Sequence, residues 1–328
     1  MAQPQQRPAQ GVVRFYDFLP ESAAFLGEVL AGLAGAPKTL PSKHLYDARG
    51  CELLERMGES PDCTAARAEL ALLRGQAAAM ALFLGPDCQL IELGGGAARN
   101  TGLLIAQLQP SLYVPVGISA GAMQAAAAGL VQTFPWLNIA GVCADYTAPL
   151  ILPSFVGVPI RKKAVYLPGA ILANFTPQEA ADLLRLARRL VGPGGALLAG
   201  VEPKPDRAAA PAACSDASGA IAAFNLNLLE RINRELGGDF QLRRFRHRAA
   251  YHEAQGWTEM RIESLASQFV HIGGRRFSLG LGETLVTAIC CTHGADAFRA
   301  LAQDAGFAPG ETWSDAAGRF GVHGMIAV

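Results

Sequence analysis

Short apolar runs alternate with longer stretches of helical period through the middle of this chain. Cys88 to Leu93 reads as a buried strand, followed by Gly94-Gly95-Gly96 and a helical pattern from Ala98 to Leu108. The unit repeats: a strand over 112–118 and a helix over 120–132, a strand over 138–143 leading to Asp145, a strand over 164–168 and a helix over 177–191, then a strand over 196–201. Units of this spacing predict a parallel sheet covered by helices. The helix at 177–191 is the best delimited. Thr176 is placed to cap it, Pro177 suits its first position, Glu179 completes a capping box, and Gly192-Pro193-Gly194-Gly195 ends it.

The flanks carry other patterns. Residues 1–10 are polar and rich in Gln and Pro, and read as disordered. A helix is expected over 21–35, then a loop from Pro37 to Gly50 dense in polar side chains, then helices near 51–57 and 65–83. Beyond Pro203 the regular alternation stops. An Ala/Pro-rich linker at 207–213 precedes a helix at 219–236, strand-like segments near 258–272 and 283–291, a helix at 294–305 and a strand at 320–327. A parallel sheet followed by an antiparallel section predicts a second, smaller domain beside the first.

A strand, a glycine turn and a helix let a ligand approach the backbone closely, as nucleotide-type folds require. In such folds the next strand presents a carboxylate to ribose hydroxyls at its C-terminal end. This chain has Gly117 and Ser119 there. Composition narrows the partners. The chain has 328 residues, 51% hydrophobic and 17% charged, enough apolar material for one large or two modest domains. Its 28 basic and 28 acidic side chains cancel, and the absence of a basic stripe argues against nucleic acid in favour of a small molecule or protein. The mean hydropathy of +0.22 is compatible with a buried subunit interface without requiring one. No run reaches the roughly 18 apolar residues of a membrane span, and the N-terminus lacks a signal-peptide core, so a cytoplasmic location is expected. Seven scattered cysteines without paired spacing read as reduced thiols, with no metal site.

Several stretches in order resemble the histidine Nα-methyltransferases of ergothioneine biosynthesis: Pro37 to Asp47, Glu92-Leu93-Gly94, Gly169 to Asn174, Phe224-Asn225-Leu226-Asn227, Phe245-Arg246-His247, Thr312 to Asp315 and Phe320-Gly321. The similarity runs from about residue 20 to the end. It implies an α/β architecture: a Rossmann-like class I methyltransferase fold with a second, smaller α+β substrate domain. The implied division is 68–204 with 293–328 for the cofactor domain and 11–67 with 205–292 for the substrate domain. The resemblance further implies that Tyr46 contacts a substrate amine, that Asn174 binds its carboxylate, and that Asp145, with Tyr146 beside it, pairs with the adenine amino group. Glu92, Gly94, Gly96 and Gly169 join Asp145 and Tyr146 as cofactor-binding positions, weak or vestigial.

The departures from the family pattern are as informative. Its ribose-binding Asp falls at Gly117, and the Glu and Ser that hold the imidazole fall at Ala288 and Cys290, two apart on a strand and so facing one way. Its Glu-Tyr-Tyr-Pro-Thr-Arg-Thr-Glu segment is Asp62-Cys63-Thr64-Ala65-Ala66-Arg67-Ala68-Glu69, and another substrate-contacting Tyr falls at Cys214. Lys43, Cys63, Thr64, Arg67, Cys214, Met260, Ala288 and Cys290 are therefore the candidate substrate contacts, with Tyr46, Asp47 and Asn174 as candidate catalytic residues. Losing hydrogen-bonding groups to a polar substrate leaves its polar atoms unpaired, so histidine recognition is not expected to survive.

With both grips changed, the chain also resembles methyltransferase-like proteins that form aziridine rings in azinomycin-type antibiotic biosynthesis. That resemblance implies intramolecular substitution by an amine on an amino-acid-derived substrate, with loss of a group such as sulfate and no required cofactor. Asp47 or Tyr46 would accept the proton, and Lys43 or Arg67 would steady the departing anion. The implied partners are a small companion subunit and an amino-group carrier protein. This is the expectation carried forward. The alternatives are an S-adenosylmethionine-dependent N-methyltransferase for an amino acid other than histidine, and a non-catalytic partner-binding paralogue.

Overall fold

The computed structural model describes residues 10–19, 22–59, 63–94, 98–155, 157–169, 171–203, 214, 218–315 and 318–328. In chain order, β1 (Val13–Asp17) and α1 (Ser22–Ala34) lead to β2 (Lys38–Thr39), α2 (Ala48–Glu59) and α3 (Thr64–Leu84). The repeating units follow: β3 (Cys88–Leu93), α4 (Ala98–Leu108), β4 (Leu112–Gly117), α5 (Ala120–Thr133), β5 (Ile139–Cys143), β6 (Lys162–Leu167), α6 (Pro177–Val191) and β7 (Ala196–Val201). Next come α7 (Ala220–Leu236), β8 (Phe245–His252), β9 (Trp257–Ser264), β10 (Gln268–Ile272), β11 (Arg275–Leu279) and β12 (Thr284–Cys290). The chain closes with α8 (Gly294–Asp304), β13 (Phe307–Ser314) and β14 (Gly321–Ala327).

Eight strands form the larger sheet in the order β1-β5-β4-β3-β6-β7-β14-β13. The first six are parallel; β14 runs antiparallel between β7 and β13. Every residue of β3, β4 and β7 is buried, as a parallel sheet covered on both faces demands. Alternate residues feed two cores: Ile91, Leu93, Val165 and Leu197 pack with α6 and α8 on one face, while Leu90, Tyr113 and Leu198 pack with α3 and α4 on the other. Strand order reverses between β3 and β6, which opens a crevice at their C-terminal ends. Gly94 and Gly169 both lie there.

The smaller domain is a four-stranded sheet, β2-β12-β9-β8, with the β10–β11 hairpin and helices α1, α2 and α7 around a core that includes Phe25, Leu45, Phe224, Leu228 and Ile262. Three expectations need correction. Residues 13–17 do not belong with the smaller domain, because β1 pairs in parallel with β5 at the edge of the large sheet, Val13 opposite Ile139. The boundary at 67/68 would cut through α3, which packs on the large sheet over its length. The supposed loop from Pro37 to Gly50 contains β2, a 3-10 turn over Ser42–Leu45 and the start of α2. β8, β11 and β13 were not anticipated; their alternation is interrupted by polar residues on an exposed face. The proposed linker at 207–213 and the N-terminal residues 1–9 lie outside the described residues.

Helix α6 begins where the sequence places it. The Thr176 hydroxyl accepts from the Glu179 N–H at 3.3 Å, and the Glu179 carboxylate accepts from the Thr176 N–H at 2.8 Å. This box follows directly on the turn that carries Asn174. Thr176→Ala is expected to lower unfolding free energy by about 1 kcal/mol; a denaturant midpoint equal to that of the unaltered protein would show that the box contributes nothing.

Candidate active site

Two short turns, one from each domain, meet at the crevice. Tyr46 ends the 3-10 turn Ser42–Leu45, and Asn174 ends the 3-10 turn Ile171–Asn174 beyond β6. The Asn174 amide donates to the Tyr46 hydroxyl at 3.4 Å. The Tyr46 ring packs edge-on against Phe224 of α7 at 5.7 Å, and burial pushes its phenol up to about 12. Tyr46 is therefore a neutral hydrogen-bonding group at neutral pH. The Asn174 turn is held by the segment joining β12 to α8: the Cys291 N–H donates to the Ala173 carbonyl at 2.7 Å, and His293 Nε2 meets the Leu172 carbonyl at 3.1 Å.

Asp47 is not available as the proton acceptor that the sequence suggested. Its Oδ1 accepts from the Gly50 N–H at 2.7 Å and the Asn227 amide at 2.8 Å, and its Oδ2 pairs with Arg234 at 2.6 Å. It caps α2 and ties that helix to α7. Lys43 is likewise committed, to Glu28 of α1 at 2.7 Å and Asp145 at 2.9 Å, so it is not a free cation for a departing anion. Burial alone would lower its pKa, but the bonds to the two carboxylates outweigh this and hold it above the ordinary lysine value. Asp145 also accepts from the Thr147 N–H at 2.9 Å. Burial pulls its carboxyl the other way, yet the bonds from Thr147 and Lys43 keep it below the usual carboxylate range.

The glycine turn has the shape that its sequence implies. Gly94 adopts φ +89°, and a Cβ there would stand 2.2 Å from Ile171 Cδ1 and 3.6 Å from the Tyr146 hydroxyl. Only glycine suits this position, because the φ is left-handed and Ile171 takes the space a Cβ would need. Glu92, by contrast, is 0% exposed and cannot touch a ligand. Its Oε2 accepts from Thr101 at 2.6 Å and from Tyr113 at 2.9 Å, bracing α4 and β4 against β3, while Oε1 has no partner. Gly169 is also a turn residue: at φ +58° it gives its N–H to Glu69 at 2.5 Å. Glu69 further accepts from Tyr166 at 3.1 Å and Asn100 at 3.2 Å, joining α3, β6 and α4 beneath the crevice. Sequence reading quoted Glu69 within a motif but gave it no role. Gly96 and the side chain of Thr64 lie outside the described residues.

The former imidazole wall is small and apolar. A bulge in β12 leaves Thr287 unmatched, so Ala288 pairs with Met260 and Cys290 with Thr258. Thr287 donates to Asn225 Oδ1 at 2.6 Å, and His247 Nε2 donates to the Cys214 carbonyl at 2.8 Å, leaving Nδ1 to accept from Asn225 at 2.9 Å. This chain, also missed by sequence reading, explains why Phe224 to Asn227 and Phe245 to His247 appear together as motifs. Cys214 shares a hydrogen bond with Cys290, and that bond together with burial pushes the Cys214 thiol up. Burial likewise raises Cys63. Neither Cys63 nor Cys214 is an activated nucleophile. Arg67 sits on the exposed side of α3, near Cys63.

A parallel sheet with a single antiparallel strand inserted next to its last parallel strand, and a glycine turn at the reversal of strand order, make up the Rossmann-like class I methyltransferase fold. A family model described as histidine-specific methyltransferase, SAM-dependent, matches residues 25–327, and the chain belongs to that family. It is 32% identical to the histidine N-alpha-methyltransferase of Mycolicibacterium smegmatis over 301 residues, 90% of this chain and 92% of the relative. It is 24% identical over 313 residues to the N-methyltransferase imqF of Aspergillus flavus, 90% and 82% of the respective chains. Among solved structures, the CcbJ methyltransferase of Streptomyces caelestis aligns with a TM-score of 0.44 and 15% identity, covering 77% of this chain and 90% of that one. Among the described residues no helix is long and apolar enough to cross a membrane.

These relatives overturn the expectation of a cofactor-free, aziridine-forming cyclase of antibiotic biosynthesis. The family is SAM-dependent, and the nearly full-length relatives are N-methyltransferases, so the protein is a methyltransferase-family enzyme and the expectation that no cofactor is required falls with the cyclase.

Glu92 supplies a pH test of the buried frame. Burial raises its carboxyl to about 7, against an ordinary value of 4.5. The folded state then keeps a proton that the unfolded state has lost across that window, so stability falls as pH rises through it, by up to about 3 kcal/mol once above both values. Glu92→Gln removes the titration. Its stability relative to the unaltered protein is expected to rise between pH 5 and pH 8; a constant difference in melts would show that Glu92 does not titrate in that range.

Proposed function

We propose that this protein is an S-adenosylmethionine-dependent N-methyltransferase acting on the amine of an amino acid other than histidine. The observation that carries the reading is the facing of Tyr46 and Asn174 across the crevice at 3.4 Å, beside a wall in which Ala288 and Cys290 stand where the family holds an imidazole. The groups that would fix an α-amine and α-carboxylate are kept, and those that would fix a histidine side chain are gone.

The turn at Gly94 fits the cofactor in its left-handed backbone and in the Tyr146 hydroxyl beside it, with the Ile171 side chain packed against the glycine. Gly94, Tyr146 and Asp145 would hold S-adenosylmethionine. When bound, it supplies an electrophilic methyl group on a sulfonium. The ribose side is weaker, since Gly117 ends β4 without a carboxylate. A ribose carboxylate accepts charge-assisted bonds worth on the order of 1.5–3 kcal/mol each.

The protein's own contribution is positioning. The Tyr46 hydroxyl holds the amine, and Asn174 holds the carboxylate, so that the nitrogen lone pair faces the glycine turn. With its phenol raised to about 12, Tyr46 does not remove the proton; Asp47, spent on Gly50, Asn227 and Arg234, does not either. The amine enters neutral, and the methylated product releases its proton to water. Such catalysis rests on orientation and exclusion of water.

Two outcomes follow. Calorimetry is expected to show binding of S-adenosylmethionine, and Gly117→Asp to tighten it by at least about tenfold, the value of one restored charge-assisted bond; no binding up to millimolar concentration would remove the reading. Tyr46→Phe and Asn174→Ala are each expected to lower kcat/KM for methyl transfer by about 10- to 100-fold while leaving cofactor affinity unchanged. Loss of cofactor binding instead would place these residues in the wrong pocket.

A further inference from the structure

β1 is one edge of the large sheet and β13 is the other. An edge strand offers unpaired N–H and C=O groups to any strand that meets it, so edges that stay bare are blunted by proline or by bulges. β13 carries both marks. Pro309 stands in it, its register with β14 shifts between Pro309 and Thr312, and Glu311 lies in the break. β1 has neither: its register with β5 is unbroken from Val13 to Asp17, and it contains no proline.

Instead, β1 exposes large apolar side chains. Val13 is 40% and Phe15 41% exposed, and Val12 and Phe18 at its two ends are exposed as well. Phe15 lies over Gly141 of β5, where a Cβ would stand 2.5 Å from the ring. The backbone shows which groups are open. The Ile139 N–H donates to the Val12 carbonyl at 2.9 Å, and the Phe18 N–H to the Cys143 carbonyl at 2.8 Å. Peptide groups alternate in direction along a strand, so Val12, Arg14, Tyr16 and Phe18 turn theirs towards β5. Val13, Phe15 and Asp17 turn theirs outwards, and among the described residues nothing pairs with them there.

We propose that β1 pairs with β1 of a second copy of this chain, antiparallel about a two-fold axis at Phe15, so that the two large sheets join edge to edge. In that register Phe15 meets Phe15 of the second copy, Val13 meets Asp17, and every outward N–H and C=O of the strand finds a partner. Centring the pair on Arg14 would set two guanidiniums against each other. Centring it on Tyr16 would leave Val13 without a strand residue opposite. With Phe15 at the centre, Arg14 faces Tyr16 of the second copy in a close, non-hydrogen-bonded pair, on the face where Tyr16 stacks with Phe18 at 6.4 Å. A guanidinium against an electron-rich ring is attractive, and the two-fold axis makes the contact twice. A foreign strand could satisfy the same backbone groups, but this match of charge to ring is one that the strand makes with itself.

The test is analytical ultracentrifugation of the full chain at concentrations up to about 100 μM, where even a weak specific dimer is populated. The unaltered protein is expected to sediment with the mass of two chains. Phe15→Lys sets two ammonium groups together at the axis while its stem still covers Gly141, and is expected to weaken the dimer at least about 30-fold. Val13→Pro removes an outward N–H without touching the ladder to β5, so it is expected to weaken the dimer too and guards against a folding defect at Phe15; thermal melts of both variants check the fold. Under a mild oxidant, Phe15→Cys is expected to cross-link to its own copy, because the paired Cα atoms stand about 5.5 Å apart, within disulfide reach. Peptide mass mapping separates that bond from any made by the native cysteines. Arg14→Cys, opposite Tyr16, is expected not to cross-link. A single-chain mass at the highest concentration would overturn the proposal. So would a dimer that survives both Phe15→Lys and Val13→Pro, or one that cross-links through Arg14→Cys and not through Phe15→Cys.

Discussion

The Asp47 carboxylate is the constraint on which the site depends. It closes the N-terminus of α2 through Gly50, and it reaches α7 through Asn227 and Arg234. Those bonds fix the turn whose last residue is Tyr46, and Phe224 on the same α7 supports the ring. A charged acceptor at a helix N-terminus, satisfied on both oxygens, is among the stronger local anchors available to a chain. The tyrosine can then meet an asparagine that arrives from the other domain without either side chain having to search for the other.

Polar ties also set how the two domains face each other. Lys43 crosses from the small domain to Asp145 at the end of β5, and Cys291 and His293 hold the Asn174 turn from the opposite side. Two carboxylates beneath the crevice have different fates. Glu69 is saturated and structural, and Glu92 is sealed inside the sheet. Residue type alone would rank these two acids equally. Their surroundings make one a clamp and the other a buried titrating group.

The sequence by itself determined the layered α/β frame. The apolar runs at β3 to β7, the glycine turn and the capping box of α6 are local signals, because buried strands, positive-φ turns and helix caps each restrict which residues can stand there. The ordered motifs likewise brought Tyr46, Asn174 and Gly94 to notice and marked Ala288 and Cys290 as altered. The edge strands β1, β8, β11 and β13 were not legible, since one exposed face lets polar residues interrupt the alternation.

Only the tertiary structure decided which polar groups are free. Asp47 and Lys43 looked reactive in a polar loop until their partners, up to 187 and 102 residues away along the chain, were seen to fill them. Glu92 looked like a cofactor grip until the sheet closed over it. A side chain's chemistry is written in the sequence, but its availability depends on hydrogen-bond partners brought together by folding, and long-range pairing of that kind leaves no local pattern to read.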